Sequence, residues 1–142
     1  MQSCPFMNVS IRGWLCVLGF ATGACDSLSD DLAAARSRWQ QHAVDDYSFV
    51  YRTTGFVAPI DARIVVADGA VTGVENRGSG VVLVPQTAPT IEVLFDAVEK
   101  AIDDGGDATV TWDPAFGFPV SANTTAGSET WGFEVSEFEP AP

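Results

Sequence analysis

The sequence predicts an α+β fold, a single domain in which two helices pack on one face of an antiparallel sheet. Two segments place apolar residues at helical spacing, and each is followed by segments that alternate with a period of two and end at turn residues. The helices do not alternate singly with strands, as they would in a parallel sheet built from βαβ units. The predicted order of elements is α-βββ-α-βββ.

The first helix is predicted to begin at Ser29 and to end near His42. Ser29 can cap the helix, and Asp30 and Asp31 lie in its first turn, where negative charge suits the helix dipole. A helix with a single apolar stripe can cover one face of a sheet. This stripe consists of Leu28, Leu32, Ala35, Trp39 and Ala43.

Alternation and turn signals predict the first three strands. Residues 47–52 alternate with a period of two and place their aromatic side chains on one face. Residues 63–67 and 71–75 flank an Asp-Gly pair at 68–69, which is the strongest short hairpin signal in the chain. Residues 81–84 form a further short apolar segment that is bounded by a proline.

The second helix is predicted to begin after Thr90, which can act as its cap, and to end at Gly105 and Gly106. Glu92 lies in its first turn. Its apolar stripe consists of Ile91, Leu94, Phe95, Val98 and Ile102.

The last three strands are predicted at residues 109–112, 118–121 and 131–138. A polar loop is expected over residues 123–129, before the final strand. Residues 139–142 are predicted to form a frayed tail.

An apolar run at residues 14–24 predicts where the protein is located. It is shorter than the roughly 20 residues that a helix needs to cross a bilayer, but it suits the core of a signal peptide with Arg12 as its positive flank. Gly23 and Ala24 stand before Cys25, which resembles the cleavage and lipidation site of a bacterial lipoprotein. Plain secretory cleavage without lipidation is the main alternative, and either Met1 or Met7 can serve as the start.

This interpretation divides the chain into a signal peptide over residues 1–24, a lipidated tether over 25–31 and the α+β domain over 32–138. Two acyl chains on Cys25 would give stable anchoring, since one chain binds a membrane only marginally. The expected location is the cell envelope, with the domain facing the periplasm or the exterior. The expected partners are the membrane, through the N-terminal lipid, and a protein of the envelope.

Cysteine content and charge limit the chemistry. Because the three cysteines lie at positions 4, 16 and 25, the domain after the proposed cut has no internal disulfide, zinc cluster or thiol nucleophile. All 19 acidic residues and six of the seven basic ones follow position 24. The resulting excess of negative charge disfavours contact with nucleic acid or anionic lipid. It suits either simple solubility or a site for a cationic partner.

Five segments resemble a known family. They are Trp39 with Asp-Tyr-Ser-Phe at 46–49, Val-Ala-Asp-Gly-Ala-Val at 66–71, Thr-Ile-Glu-Val-Leu-Phe at 90–95, residues 110–119, and Trp-Gly-Phe-Glu-Val at 131–135. Together they are similar to the bacterial envelope family catalogued as domain of unknown function 6174. The resemblance supports the lipoprotein location and the fold class, and it implies no activity.

The chain departs from that family's pattern at two places. Trp112 and Phe118 stand where the family tends to have tyrosine. Residues 54–57 lie where many members have a Cys-x-Cys pair, so no redox or metal role of that pair is carried over.

The most specific part of the resemblance is also the best candidate for a partner-binding hairpin. A turn that begins with aspartate, fixes φ with proline and uses glycine at positive φ already explains most of its sequence. Recognition of a partner is the alternative interpretation. The candidate residues are Asp113, Pro114, Phe116, Gly117, Phe118 and Pro119.

The remaining polar groups are weaker candidates. The acidic residues at 103, 104 and 107 do not have the spacing of a calcium-binding loop, and a solvated helix end explains them. His42 has no nucleophile motif to act on, and Glu92 and Glu99 are typical of a solvated helix face. The Gly-Ser-Gly sequence at 78–80 lacks the lysine of a phosphate-binding loop.

No catalytic, metal or cofactor site is therefore predicted. We expect a non-enzymatic binding or accessory domain that is tethered to a membrane in the bacterial envelope. The alternatives are a secreted or periplasmic inhibitor or sensor that presents its sheet face, and a hydrolase that uses carboxylates.

Overall fold

The computed structural model describes residues 26–55, 57–78, 80–126 and 128–142. The predicted signal peptide and Cys25 lie outside these residues. None of the described helices combines the length and the apolar character needed to cross a bilayer. In chain order the elements are α1 (Asp26–His42), β1 (Tyr47–Gly55), β2 (Asp61–Ala67), β3 (Ala70–Asn76), α2 (Ile91–Asp103), β4 (Asp107–Trp112), β5 (Pro119–Ala126) and β6 (Glu129–Pro140).

The strands form one antiparallel sheet with the order β3-β2-β1-β6-β5-β4. Each half of the chain contributes a meander of three strands, and the two meanders join where β1 pairs with β6. The predicted α+β class and the order α-βββ-α-βββ are confirmed. Local hairpins account for this topology, because each strand except β1 and β6 pairs only with its neighbours in sequence.

The core lies between one face of the sheet and the two helices. The predicted stripe of α1 supplies Leu32, Ala35 and Trp39, although Ala43 is exposed. The predicted stripe of α2 supplies four buried residues, while Ala101 is buried in place of the half-buried Ile102. Thr90 caps α2 as predicted, because its Oγ1 accepts a hydrogen bond from the Val93 amide at 3.4 Å. The sheet contributes Tyr47, Phe49, Ala62, Ile64, Val66, Ala122, Phe133 and Val135.

The opposite face of the sheet is largely polar. Ion pairs cross its strands, with Arg52 bound to Asp61 at 3.1 Å and Arg77 bound to Glu137 at 3.2 Å. Arg63 also pairs with Glu137. Apolar side chains on the core face therefore alternate along the strands with polar side chains on the solvent face, as is usual for an antiparallel sheet with one buried face.

A bulge in β6 brings Phe138 into the core. Glu137 and Phe138 together stand opposite Phe49, and Glu137 adopts a left-handed backbone with φ of 48°. The extra residue turns the Phe138 ring toward Trp39 and the Glu137 carboxylate toward Arg63 on the other face.

Two sequence predictions about element boundaries are wrong. Helix α1 begins at Asp26 rather than after a cap at Ser29, because the longer helix keeps the half-buried Leu28 on the apolar stripe. The tail predicted over 139–142 is held in place, because β6 runs to Pro140 and the amide of Ala141 donates to the Asp46 carbonyl at 2.9 Å.

The loop predicted over residues 123–129 is also largely wrong, since β5 continues to Ala126 and β6 begins at Glu129. The polar side chains of this segment suggested a loop. Asn123 and Thr125 lie on the solvent face of the sheet instead, whereas Thr124 is buried. Asn123 pairs with Thr109 on one side and with Gly132 on the other. Pairing on both sides satisfies the backbone without apolar side chains.

A β-carbon at Gly132 would lie 2.4 Å from the Ala122 carbonyl oxygen and 2.6 Å from Thr54 Oγ1. We expect Gly132→Ala to lower the free energy of unfolding by about 1–3 kcal/mol, because the backbone must shift to accept the methyl group. Urea denaturation measures the change.

Gly73→Ala is the matched control. Gly73 is also a strand glycine, but an added β-carbon there would meet Val65 only at 3.7 Å, an ordinary contact. Its expected change is within about 0.5 kcal/mol. Equal losses in the two variants would show that close packing at Gly132 is not the cause.

Candidate binding groove

A groove of about 360 Å³ lies between the C-terminal half of α1 and the N-terminal half of α2. The Trp39 side chain lines this groove and is itself buried in the core. A concave site with a few convergent polar groups is the usual form of a ligand site. The lining residues are Arg36, Trp39, Gln40, Ala43, Val44, Asp45, Glu92, Phe95 and Asp96.

The Glu92 carboxylate joins three elements of the fold beside this groove. Its Oε1 accepts a hydrogen bond from Trp39 Nε1 at 2.8 Å, and its Oε2 accepts one from the Tyr47 hydroxyl at 3.2 Å. The same hydroxyl accepts the buried amide of Ile91 at 3.1 Å. Glu92 therefore connects α2 to α1 and to β1.

Burial raises the pKa of Tyr47 well above its usual range, and the negative charge of Glu92 raises it further. The hydrogen bond from the Ile91 amide acts in the opposite direction but is outweighed. Burial also raises the pKa of Tyr51. Both tyrosines are therefore neutral hydrogen-bonding groups at physiological pH, and neither hydroxyl is activated as a nucleophile or base.

Arg36 occupies the side of the groove away from Trp39. Its guanidinium binds Asp96 at 3.1 Å and Glu99 at 3.2 Å, and it lies 5.5 Å from the centre of the Phe95 ring. Glu99 is thus bound to Arg36, while Glu92 is bound to Trp39 and Tyr47. The two glutamates, expected to share a solvated face, have separate structural partners.

An aromatic cluster supports the floor of the groove. The Trp39 ring meets Tyr47 edge-on at 5.4 Å between ring centres, and it meets Phe118 and Phe138 in the same manner at 6.2 and 5.8 Å. Phe116 packs against Phe138 with the rings tilted and their centres 5.2 Å apart. The cluster fixes the Trp39 indole, so its Nε1 points at Glu92 without conformational freedom.

The hairpin that begins at Asp113 has the turn chemistry predicted from the sequence. Asp113 Oδ1 accepts the amides of Ala115 at 2.9 Å and of Phe116 at 2.7 Å. Gly117 has a φ of 87°, and a β-carbon on it would lie 2.5 Å from the Ala35 carbonyl oxygen of α1. Only glycine lets the hairpin approach the helix this closely.

The structure uses most of the candidate hairpin residues inside the fold. Gly117, Phe118 and Pro119 are buried and Phe116 is half-buried, whereas Pro114 and Ala115 are exposed. Binding of a partner by this hairpin stays a prediction, and any such contact is limited mainly to the exposed tip.

His42 fastens the end of α1 to the same hairpin. Its Nε2 donates to the Ala115 carbonyl at 2.9 Å, and its ring packs on Phe116 at 4.7 Å between centres. A carbonyl oxygen is only an acceptor, so the hydrogen bond places the ring proton on Nε2. The histidine therefore has a structural role at this contact.

The acidic residues at 103, 104 and 107 follow the pattern expected of a solvated helix end rather than of a calcium-binding loop. Asp104 forms an ion pair with Lys100 at 2.6 Å, and this contact raises the pKa of the lysine. In the described parts of the chain, no group of three histidine, cysteine or acidic residues is placed to hold a metal ion.

The groove carries more negative than positive charge. Asp45, Glu92 and Asp96 face a single guanidinium, that of Arg36. Both donors to Glu92 are neutral, so they fix its carboxylate without cancelling its charge. Sequence reasoning missed this arrangement because Tyr47 and Glu92 are 45 positions apart and no local pattern links them.

Comparison with known proteins gives one match. The model of a family of unknown function, DUF6174, matches residues 31–139. No curated protein and no solved structure matches the chain.

The raised pKa of Tyr47 predicts how stability depends on alkaline pH. The folded state keeps this proton over a range in which the unfolded chain, with an ordinary pKa of about 10, has lost it. The contribution of the Tyr47 hydroxyl to the free energy of unfolding is therefore complete below about pH 10 and falls as the pH rises above that value. We expect the free energy of unfolding to decrease in this range.

Tyr51→Phe leaves Tyr47 as the only tyrosine, so the absorbance of tyrosinate then reports this residue alone. We expect no tyrosinate in that variant until the protein unfolds, as followed by circular dichroism in the same titration. Ionisation near pH 10 in the folded protein would contradict the burial of this hydroxyl.

Proposed function

The chain belongs to the family of unknown function DUF6174, and we propose that it is a non-enzymatic binding domain tethered to a membrane of the bacterial envelope. Family membership brings no activity with it, so the proposal rests on the residues of this chain. The groove between α1 and α2 is its recognition site. The ligand is a cationic group, such as an amine or a guanidinium, carried by an envelope partner.

The observation that carries this proposal is the fixed and uncancelled charge of Glu92. Its two oxygens are held by Trp39 Nε1 and the Tyr47 hydroxyl, at 2.8 and 3.2 Å, and both donors are neutral. Preorganised carboxylates bind cations with little loss of side-chain entropy. Asp45 and Asp96 at the rim add to the attraction.

The tether supports the same function through its position. Cys25, the proposed lipidated residue, directly precedes α1, and a helix of 17 residues is about 25 Å long. The groove lies at the C-terminal end of α1. A lipid on Cys25 would therefore leave the groove facing away from the bilayer, where a partner can reach it.

The polar groups of the groove favour binding over catalysis. Glu92 and Asp96 have structural partners in Trp39, Tyr47 and Arg36, and His42 is bound to the hairpin backbone. The alternative of a sheet face that blocks a partner is less favoured, because the solvent face carries ion pairs rather than aromatic side chains.

Binding of a short oligolysine peptide tests the proposal, with calorimetry as the readout. We expect Glu92→Gln to weaken binding roughly tenfold, as loss of a charged hydrogen bond of about 1.5 kcal/mol would do. Asp45→Asn serves as a second variant that leaves the bonds of Glu92 intact. Raised salt should weaken binding to the native chain.

Glu134→Gln is the matched control, because it removes the same charge from an exposed residue outside the groove. Its expected effect is about twofold or less. Equal weakening by the groove and control variants would show that only net charge attracts the peptide and would overturn the proposal. Turnover of a substrate that Glu92→Gln abolishes would favour the hydrolase alternative.

A further inference from the structure

Two loops without charged residues meet at one end of the sheet. Residues 53–60 and 78–91 contain no acidic or basic side chain, although the whole chain has a net charge of −12. The loops are joined by a hydrogen bond from the Val81 amide to the Pro59 carbonyl at 2.8 Å. These two uncharged segments therefore lie beside each other at this end of the sheet.

Four valines of these loops face solvent, and we call them the valine rim. Among the described residues, they are four of the six large hydrophobic side chains that are strongly exposed. Scattered apolar residues on a surface need no explanation, but a contiguous group marks an interaction site. The rim consists of Val57 at 41 %, Val81 at 46 %, Val82 at 68 % and Val84 at 45 % exposure.

The fold holds the rim in its outward position. The Asn76 side chain clamps Leu83 from both sides, accepting its amide at 2.8 Å and donating to its carbonyl at 3.0 Å. Leu83 is 8 % exposed and packs in the core. In an extended segment neighbouring side chains point to opposite sides, so burial of Leu83 directs Val82 and Val84 outward.

The rim and the start of α1 lie at the same end of the domain. The first turns of α1 pack beside Ile102 and Asp103 at the end of α2. The chain then passes Gly106, where an added β-carbon would lie 3.0 Å from the Thr125 carbonyl oxygen near the end of β5. Strands β1 and β3 end on this side of the sheet, and their ends lead into the two loops of the rim.

We propose that the valine rim rests on the lipid bilayer to which Cys25 is anchored. This inference rests on the proposed tether. Because α1 begins at Asp26, no spacer separates the lipidated residue from the folded domain. The end of the domain that contains the rim is then held at the membrane surface, where the local concentration of lipid is high.

A bilayer fits the rim better than a protein partner does. The four valines of the rim supply aliphatic surface, whereas tryptophan, tyrosine and arginine anchors dominate most protein interfaces. Asp103, Asp104 and Asp107 lie beside β4, at the opposite edge of the sheet from β3 and on the side where the first turns of α1 pack. At about 4.8 Å between strands, that edge is roughly 24 Å away.

The experiment uses the complete lipidated chain in vesicles of phosphatidylcholine. Val82→Cys gives a single free thiol after maturation, since the Cys25 thiol is alkylated, and this thiol carries an environment-sensitive fluorophore. Lipids with a nitroxide near the headgroup quench a fluorophore that touches them. We expect quenching at position 82 to exceed that of the control severalfold, together with protection from aqueous iodide.

Val93→Cys is the matched control. Val93 is 50 % exposed and lies at the first turn of α2, at the opposite end of the domain. Equal quenching at positions 82 and 93, in protein that floats with the vesicles, would overturn the inference and leave the tether standing. Shielding of position 82 from iodide without quenching by lipid would identify a protein as the occupant and would also overturn it. Protein that does not float, with an unmodified Cys25 by mass spectrometry, would instead contradict the tether.

Discussion

The Tyr47 hydroxyl is the point at which the sheet and both helices are joined. It donates to Glu92, whose other oxygen binds the Trp39 indole, and it accepts the buried amide of Ile91 at the start of α2. A buried amide without a partner costs about 1–3 kcal/mol, so the hydroxyl is required where the helix begins. The positions of α1, α2 and β1 at this end of the domain depend on these three bonds.

The groove follows from that junction. The Trp39 Nε1 donates to Glu92, and the rings of Tyr47, Phe118 and Phe138 pack against the indole in this orientation. The groove lies beside this indole, which forms part of its lining. The hairpin of the family motif supports the cluster from the side, since it supplies Phe118 and packs its Gly117 on the backbone of α1. Its sequence is therefore explained by packing, whatever it contacts outside the fold.

Local periodicity was sufficient to predict the class, the order of elements and most of the apolar stripes of both helices, although not the buried Ala101 or the exposure of Ala43. It also predicted the turn at Asp113 and the cap at Thr90, because each depends on residues a few positions apart. It failed where pairing outweighs composition, as in the polar end of β5, and where a bulge changes the register, as at Glu137. The groove could not be predicted, since its carboxylate and its donors come from three distant segments. The lipid anchor remains a prediction from sequence alone.

The most direct test of this account compares Tyr47→Phe with Tyr51→Phe in urea denaturation. Both residues are tyrosines of β1 whose pKa is raised by burial, but only the Tyr47 hydroxyl joins the helices to the sheet. We expect Tyr47→Phe to lower the free energy of unfolding by about 1–3 kcal/mol, because it leaves the Ile91 amide unpaired, and Tyr51→Phe to change it by about 0.5 kcal/mol or less. Equal effects of the two substitutions would contradict the account.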